Sequence, residues 1–227
     1  MTDDQISRFE RCLNQKRFDA AFDVCTEAIR ENPSDWNAIY LAGVTLRFRG
    51  DSVAAIDYYR RAIAYNADWA PIWQALGIAL QSLRRLPESI DALSTAIRIE
   101  PGSYTAHNSL GLTYKLAANY ASAMRSYEDA LQVRANRALA ELRHDHPELF
   151  RFEDRGDSRV LCIDRTYVEH MRQILATDFD YFNTVKNMVT CCVEMGDHDR
   201  ARELQKHADT CTPIDADIIG PFHPRPH

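Results

Sequence analysis

His144-Asp145-His146 sets two imidazoles around one carboxylate, the densest group of metal-ligating side chains in the sequence. A structural metal centre usually takes four ligands. No convincing third ligand accompanies this pair, so no metal is expected. His107 and His170 each stand alone on a helical pattern, and His223 and His227 lie in a proline-rich tail. The six cysteines, Cys12, Cys25, Cys162, Cys191, Cys192 and Cys211, form no C-x-x-C. Cys191 and Cys192 are adjacent, and on a helix neighbours point about 100° apart. Cys12 and Cys25 fall on apolar helical faces and read as small hydrophobes. A Gly-rich phosphate loop, a nucleophile elbow and H-E-x-x-H are all missing. Carboxylates are scattered, with no pair at helical spacing on a buried face. No catalytic residue and no cofactor are therefore expected.

The chemistry that remains is recognition. Asn37, Gln74, Gln81 and Asn108 carry amides that both donate and accept hydrogen bonds. Val44, Ile78 and Leu112 recur among them every 34 residues, and Arg47 and Lys115 add positive charge. Tyr40 completes the set. Amides can pair with the backbone of an extended peptide while apolar positions take its alternate side chains. The two cations favour an acidic ligand or a terminal carboxylate.

The elements that position these residues follow from the same period. Gly43, Gly77 and Gly111 form one column at a 34-residue step. Ala21, Ala55, Ser89 and Ala123 form another, and Ala28, Ala62, Ala96 and Ala130 a third. Pro33 and Pro101 close two of the units. Trp73, Leu76-Gly77, Ala96 and Pro101 resemble the pattern of the tetratricopeptide repeat (TPR) family. The resemblance implies an all-α chain, a right-handed superhelical solenoid of helix-turn-helix repeats, with the first helix of each repeat lining an inner surface.

Four repeats are expected over 2–35, 36–69, 70–103 and 104–135. In the first, Gln5–Gln15 and Ala20–Glu31 read as helices joined at Arg17-Phe18-Asp19. Phe9 replaces the glycine there, attributed to the lack of a preceding repeat. Ser34 or Asp35, Asp51 or Ser52, and Ser103 read as helix caps, and Asn119 opens the second helix of the fourth repeat. After Ala130 no stop occurs, and the helix should run on to about His144. Residues 136–181 are an insertion: extended helix, a charged loop over 145–163 pinned by Leu149, Phe150 and Phe152, and a helix over 164–176. A degenerate fifth repeat spans 182–215, with Gly196-Asp197 as its turn. The tail, 216–227, is proline-rich.

The chain has 227 residues, is 45% hydrophobic and carries a formal net charge of −6. Mild acidity argues against a nucleic-acid partner, whose phosphates call for a basic face. No window approaches the roughly 18 apolar residues of a membrane span. MTDDQISRFERCL has no basic start and no apolar run, so a signal peptide is not expected and the thiols should be reduced in the cytoplasm.

The resemblance implies a non-enzymatic scaffold or adaptor that binds a peptide segment or helix of a partner protein. Two alternatives are self-assembly through array ends or tail, and an accessory subunit of an enzyme such as a glycosyltransferase system. Oligomeric state is left open. Family members that hold chaperone tails use a clamp of Lys and Asn, then Asn, then Lys and Arg. Those places hold Ile6, Glu10, Leu41, Pro71 and Ala75 here, or Tyr40, Val44, Ala75, Thr105 and Ser109 one repeat on. Neither set matches, so that ligand is not expected.

Overall fold

The computed structural model describes residues 1–145, 150–155, 158–163 and 179–210. The chain divides into two compact units, Met1–Ala117 and Ala118–His227. It folds as a helical solenoid, with a short β-hairpin in the second unit.

The first unit is a run of helices: α1 (Asp3–Asn14), α2 (Phe18–Glu31), α3 (Trp36–Phe48), α4 (Ser52–Tyr65), α5 (Ala70–Ser82), α6 (Leu86–Ile99) and α7 (Tyr104–Leu116). Each packs on the next, and α5 also touches α3 and α7. Those three helices therefore share one side of the unit.

Local sequence sets the helix starts. Thr2 and Gln5 form a reciprocal capping box on α1. Asp35 and Asp51 accept from the backbone N–H of Ala38 and Ala54 at 2.9 and 3.0 Å. Pro71 and Pro87 sit in first turns, where a missing N–H costs little. Ser103 holds the cap position of α7, but its hydroxyl makes no capping bond.

The turns within helix pairs repeat one device. The Lys16 N–H bonds Leu13 O and the Arg17 N–H bonds Cys12 O. The same two bonds recur at Gly50 and Asp51, and at Arg84 and Arg85. This double closure satisfies orphan carbonyls through one left-handed residue. Gly50 takes φ 87° freely, whereas Lys16 and Arg84 hold φ 56° and 59° with side chains attached. Lys16 ends α1 early enough for α2 to open at Phe18, ahead of the expected Ala20. The Phe18 ring is thereby carried onto Phe48, stacked at 5.7 Å.

The glycine columns are packing contacts. A Cβ on Gly43 would stand 2.7 Å from Tyr59 Cε1, and one on Gly77 2.6 Å from Leu93 Cγ. The first helix pair inverts this arrangement. Phe9 is buried, and the residue in the Tyr59 and Leu93 column is the small Cys25. Phe9 and Cys25 lie in one cluster with Ala21, Val24 and Ala42. Space conceded by Cys25 explains the phenylalanine better than a missing neighbour does. Ala28, Ala62 and Ala96 are all buried, as close helix approach requires.

The second unit contains α8 (Tyr120–Asp145), β1 (Phe150–Arg155), β2 (Ser158–Ile163), α9 (Phe179–Glu194) and α10 (His198–Thr210). Asn119 accepts from the Ser122 N–H at the start of α8. No helix breaker follows Ala130, and α8 continues to Asp145. The helix α9 packs against both α8 and α10 through buried Val185, Met188 and Leu204. Gly196, at φ 78°, makes the turn. Arg200 bonds Glu128 of α8 at 2.6 Å.

The charged loop expected at 145–163 is corrected over its second half. There β1 and β2 pair antiparallel, from Phe150↔Ile163 to Arg155↔Ser158. Two residues of sequence, Gly156 and Asp157, separate the strands. Val160-Leu161-Cys162-Ile163 supplies the apolar, β-branched run. Leu149, the side chains of Phe150 and Phe152, the helix expected over 164–176 and the tail 216–227 lie outside the described residues.

Candidate functional site

Residues Asn37, Tyr40, Val44 and Arg47 lie three, four and three apart on α3, so they form one stripe. All four are half-buried. Aromatic rings build the surface around them. Tyr40 meets Trp69 edge-on at 4.9 Å and tilts against Tyr59 at 5.9 Å. Trp36 flanks Trp69 at 5.0 Å. Trp73 is half-buried and donates its indole N–H to Ala67 O at 2.7 Å.

Arg47 is the charged group of this stripe. Its Cζ lies 4.7 Å from the Phe48 ring centroid. Its Nε is buried without a hydrogen-bond partner, and so is the hydroxyl of Tyr59. Arg47 joins no ion pair among the described residues. Burial pushes the Tyr59 phenol up to about 12, opposed by the lowering pull of the Arg47 charge. Burial raises Tyr40 too, again against Arg47. Both phenols stay protonated at neutral pH, so neither supplies a counter-charge.

The α5 residues behave differently. Gln81 Nε2 donates to Ser109 O at 3.1 Å and to Thr113 Oγ1 at 2.7 Å. Gln74 Oε1 accepts from Thr105 Oγ1 at 3.1 Å. Both glutamines therefore tie α5 to α7. Thr113 is fully buried, donates to Ser109 O and lies 3.2 Å from Ser89 Oγ. Ser89 in turn donates to Gly77 O at 2.8 Å. On α7, Asn108 and Lys115 are half-buried and engaged within the chain. Ile78 and Leu112 are half-buried on α5 and α7.

The ten side chains singled out from the sequence thus share an intermediate burial. They separate into a stripe on α3 with unspent polar groups, and two glutamines spent on a neighbouring helix. Sequence reasoning missed Tyr59, Trp69 and Thr113. Tyr59 had a signal: it shares a 34-residue column with Cys25 and Leu93, opposite the glycines.

Among the described residues no three His, Cys, Asp or Glu side chains gather as a metal set. Among them, too, no helix is long and apolar enough to cross a membrane.

Known proteins of similar sequence and fold share this architecture. A chloroplastic tetratricopeptide repeat domain-containing protein of Arabidopsis thaliana, PYG7, is 24% identical over 137 residues. That match covers 59% of this chain and 46% of PYG7, so the chain spans about half of its relative. MamA from Desulfovibrio magneticus RS-1 superposes with a TM-score of 0.66 at 15% identity, covering 93% of this chain and 96% of that one. YrrB, described as a TPR protein with an unusual peptide-binding site, gives 0.53 at 19% identity over 62% of this chain and 73% of its own. The Tetratricopeptide repeat profile matches residues 12–68 and 75–140. Those stretches make up more than half of the sequence and hold the helices that carry the stripe, and the chain belongs to the tetratricopeptide repeat family.

Proposed function

We propose that this protein is a non-enzymatic adaptor that binds a peptide segment or helix of a partner protein on the face shared by α3, α5 and α7. The observation that carries the reading is the α3 stripe. Among the described residues the Asn37 and Tyr40 side chains make no hydrogen bond and Arg47 no ion pair, beside an apolar Val44 and an aromatic wall. Binding pockets of this kind combine apolar lining with a few placed polar groups. Ile78 and Leu112 would extend the apolar part of the contact. Gln74, Gln81, Asn108 and Lys115 would act mainly by holding the neighbouring helices in register.

The peptide-binding site named for YrrB supports the class of function and not the ligand. Cys25 and Cys192 are buried as small apolar residues, in keeping with the reducing compartment, the cytoplasm, that we read from the sequence.

Site-specific photo-crosslinking tests the proposal. A benzoylphenylalanine at position 44 should capture one partner segment in the native host, identified by mass spectrometry. The same group at exposed Asp57 on α4 should not. Equal capture from both positions, or none from position 44, would remove the assignment.

A further inference from the structure

We infer that the α3 stripe selects a partner segment by an internal acidic side chain, an Asp or Glu whose carboxylate pairs with Arg47. This rests on the groove reading above and adds the chemistry of the ligand to it.

Arg47 is a half-buried guanidinium, always charged, without a carboxylate to pair with among the described residues. Its buried Nε makes no well-formed hydrogen bond, and the Tyr59 hydroxyl lies against the guanidinium as its polar neighbour. The buried Nε is out of a ligand's reach, but the residue as a whole is only half-buried and keeps part of its surface open to one. Among the described residues no carboxylate pairs with the guanidinium: Tyr40 and Tyr59 offer neutral phenol oxygens, and Phe48 only its ring face. The surface is also incomplete in the sense of charge. Tyr40, Trp69 and Val44 give it apolar walls, which raise the strength of any ion pair formed between them.

A carboxylate fits this setting. It presents two acceptor oxygens to the planar fork of an arginine. Tyr40 can add a phenolic donor from the same stripe, two helical turns from Arg47. The acid is assigned to a side chain and not to a chain end. Neither set of places for a clamp on a terminal carboxylate, Ile6, Glu10, Leu41, Pro71 and Ala75 or Tyr40, Val44, Ala75, Thr105 and Ser109, holds a cation or an amide. Lys16, Arg17 and Arg49 lie on exposed turns rather than on the stripe, so Arg47 is the cation there.

The test uses the full chain against a displayed library of random twelve-residue peptides, resynthesised with acetylated and amidated ends. The wild type should enrich one fixed Asp or Glu next to apolar positions. Changing that acid to its amide should weaken binding roughly 10- to 100-fold, the span of one charge-assisted contact. Arg47→Gln, checked for unchanged helicity and melting, should bind both peptides alike. Arg47→Glu should prefer the peptide with Lys at that place. Enriched peptides without a fixed acid, or an unchanged acid preference in Arg47→Gln, would overturn the inference while leaving the groove in place. Binding that disappears on amidation would assign the contact to a chain end instead. Failure of both proteins to enrich any peptide sensitive to Tyr40→Ala would remove the groove reading itself, and the inference with it.

Discussion

Gly77 and Leu93 occupy one volume: the isobutyl group of Leu93 fills the space where a Cβ on Gly77 would stand, 2.6 Å from Leu93 Cγ. Such a contact cannot be relieved by a small rotation, because Leu93 is itself fully buried. Gly77→Ala should therefore destabilise the unit by about 1–3 kcal/mol. Leu93→Ala alone should cost about 2–5 kcal/mol through its cavity. The double variant should lose less than the sum, since each change makes room for the other. Denaturant melts of the four proteins measure that coupling. Additive losses would mean the two residues do not share the space.

Lys16 and Arg84 hold left-handed backbone where Gly50 stands in the equivalent turn. The conformation costs a residue with a Cβ roughly 1–2 kcal/mol. Lys16→Gly and Arg84→Gly should each raise stability by up to about 1 kcal/mol, offset partly by the freer unfolded chain. Thermal melts check this, and a fall in Tm would contradict it.

Gln81 and Thr113 form a buried link between α5 and α7. Thr113→Val removes the acceptor of Gln81 and the donor to Ser109 O. It should destabilise by about 1–3 kcal/mol, the cost of unpaired buried groups. Gln81→Ala should likewise act on melting more than on ligand binding. A Gln81→Ala protein with unchanged Tm and lost binding would restore that amide to the recognition surface.

Burial pushes the Cys25 thiol up to about 12, and the Asp35 carboxylate adds to the shift. The folded value lies above the ordinary thiol value of 9.0. The corresponding stability is fully present below pH 9 and is lost as pH rises from there toward 12. Iodoacetamide at pH 8 should modify Cys12, which is half-buried, well before Cys25. Peptide mass spectrometry over time reads the order. Rapid labelling of Cys25 in the folded protein would contradict its burial.

The repeated helix pairs were legible because packing repeats: a small residue is required wherever two helices touch, and the columns at Gly43, Gly77, Ala62 and Ala96 record it. That Asn37, Tyr40, Val44 and Arg47 share one face of α3 was legible from the helical period alone. Which amides are free was not. The period says where Gln81 points, but Thr113 and Ser109 sit 32 and 28 residues further on, and only the fold brings them to it. Tyr59 was hidden for the opposite reason, since a buried ring reads as core until its hydroxyl is found unbonded. The strands at 150–163 escaped because each is only six residues long and neither follows the helical period that organises the rest.

The account stands on the α3 stripe as the recognition surface. The affinity of the segment captured at position 44 for the wild type, Tyr40→Ala and Gln81→Ala, by calorimetry with melting as control, tests it most directly. Tyr40→Ala should weaken binding at least about tenfold, near the range of a well-placed aromatic contact, while Gln81→Ala retains it. Equal affinity for the wild type and Tyr40→Ala would contradict the claim.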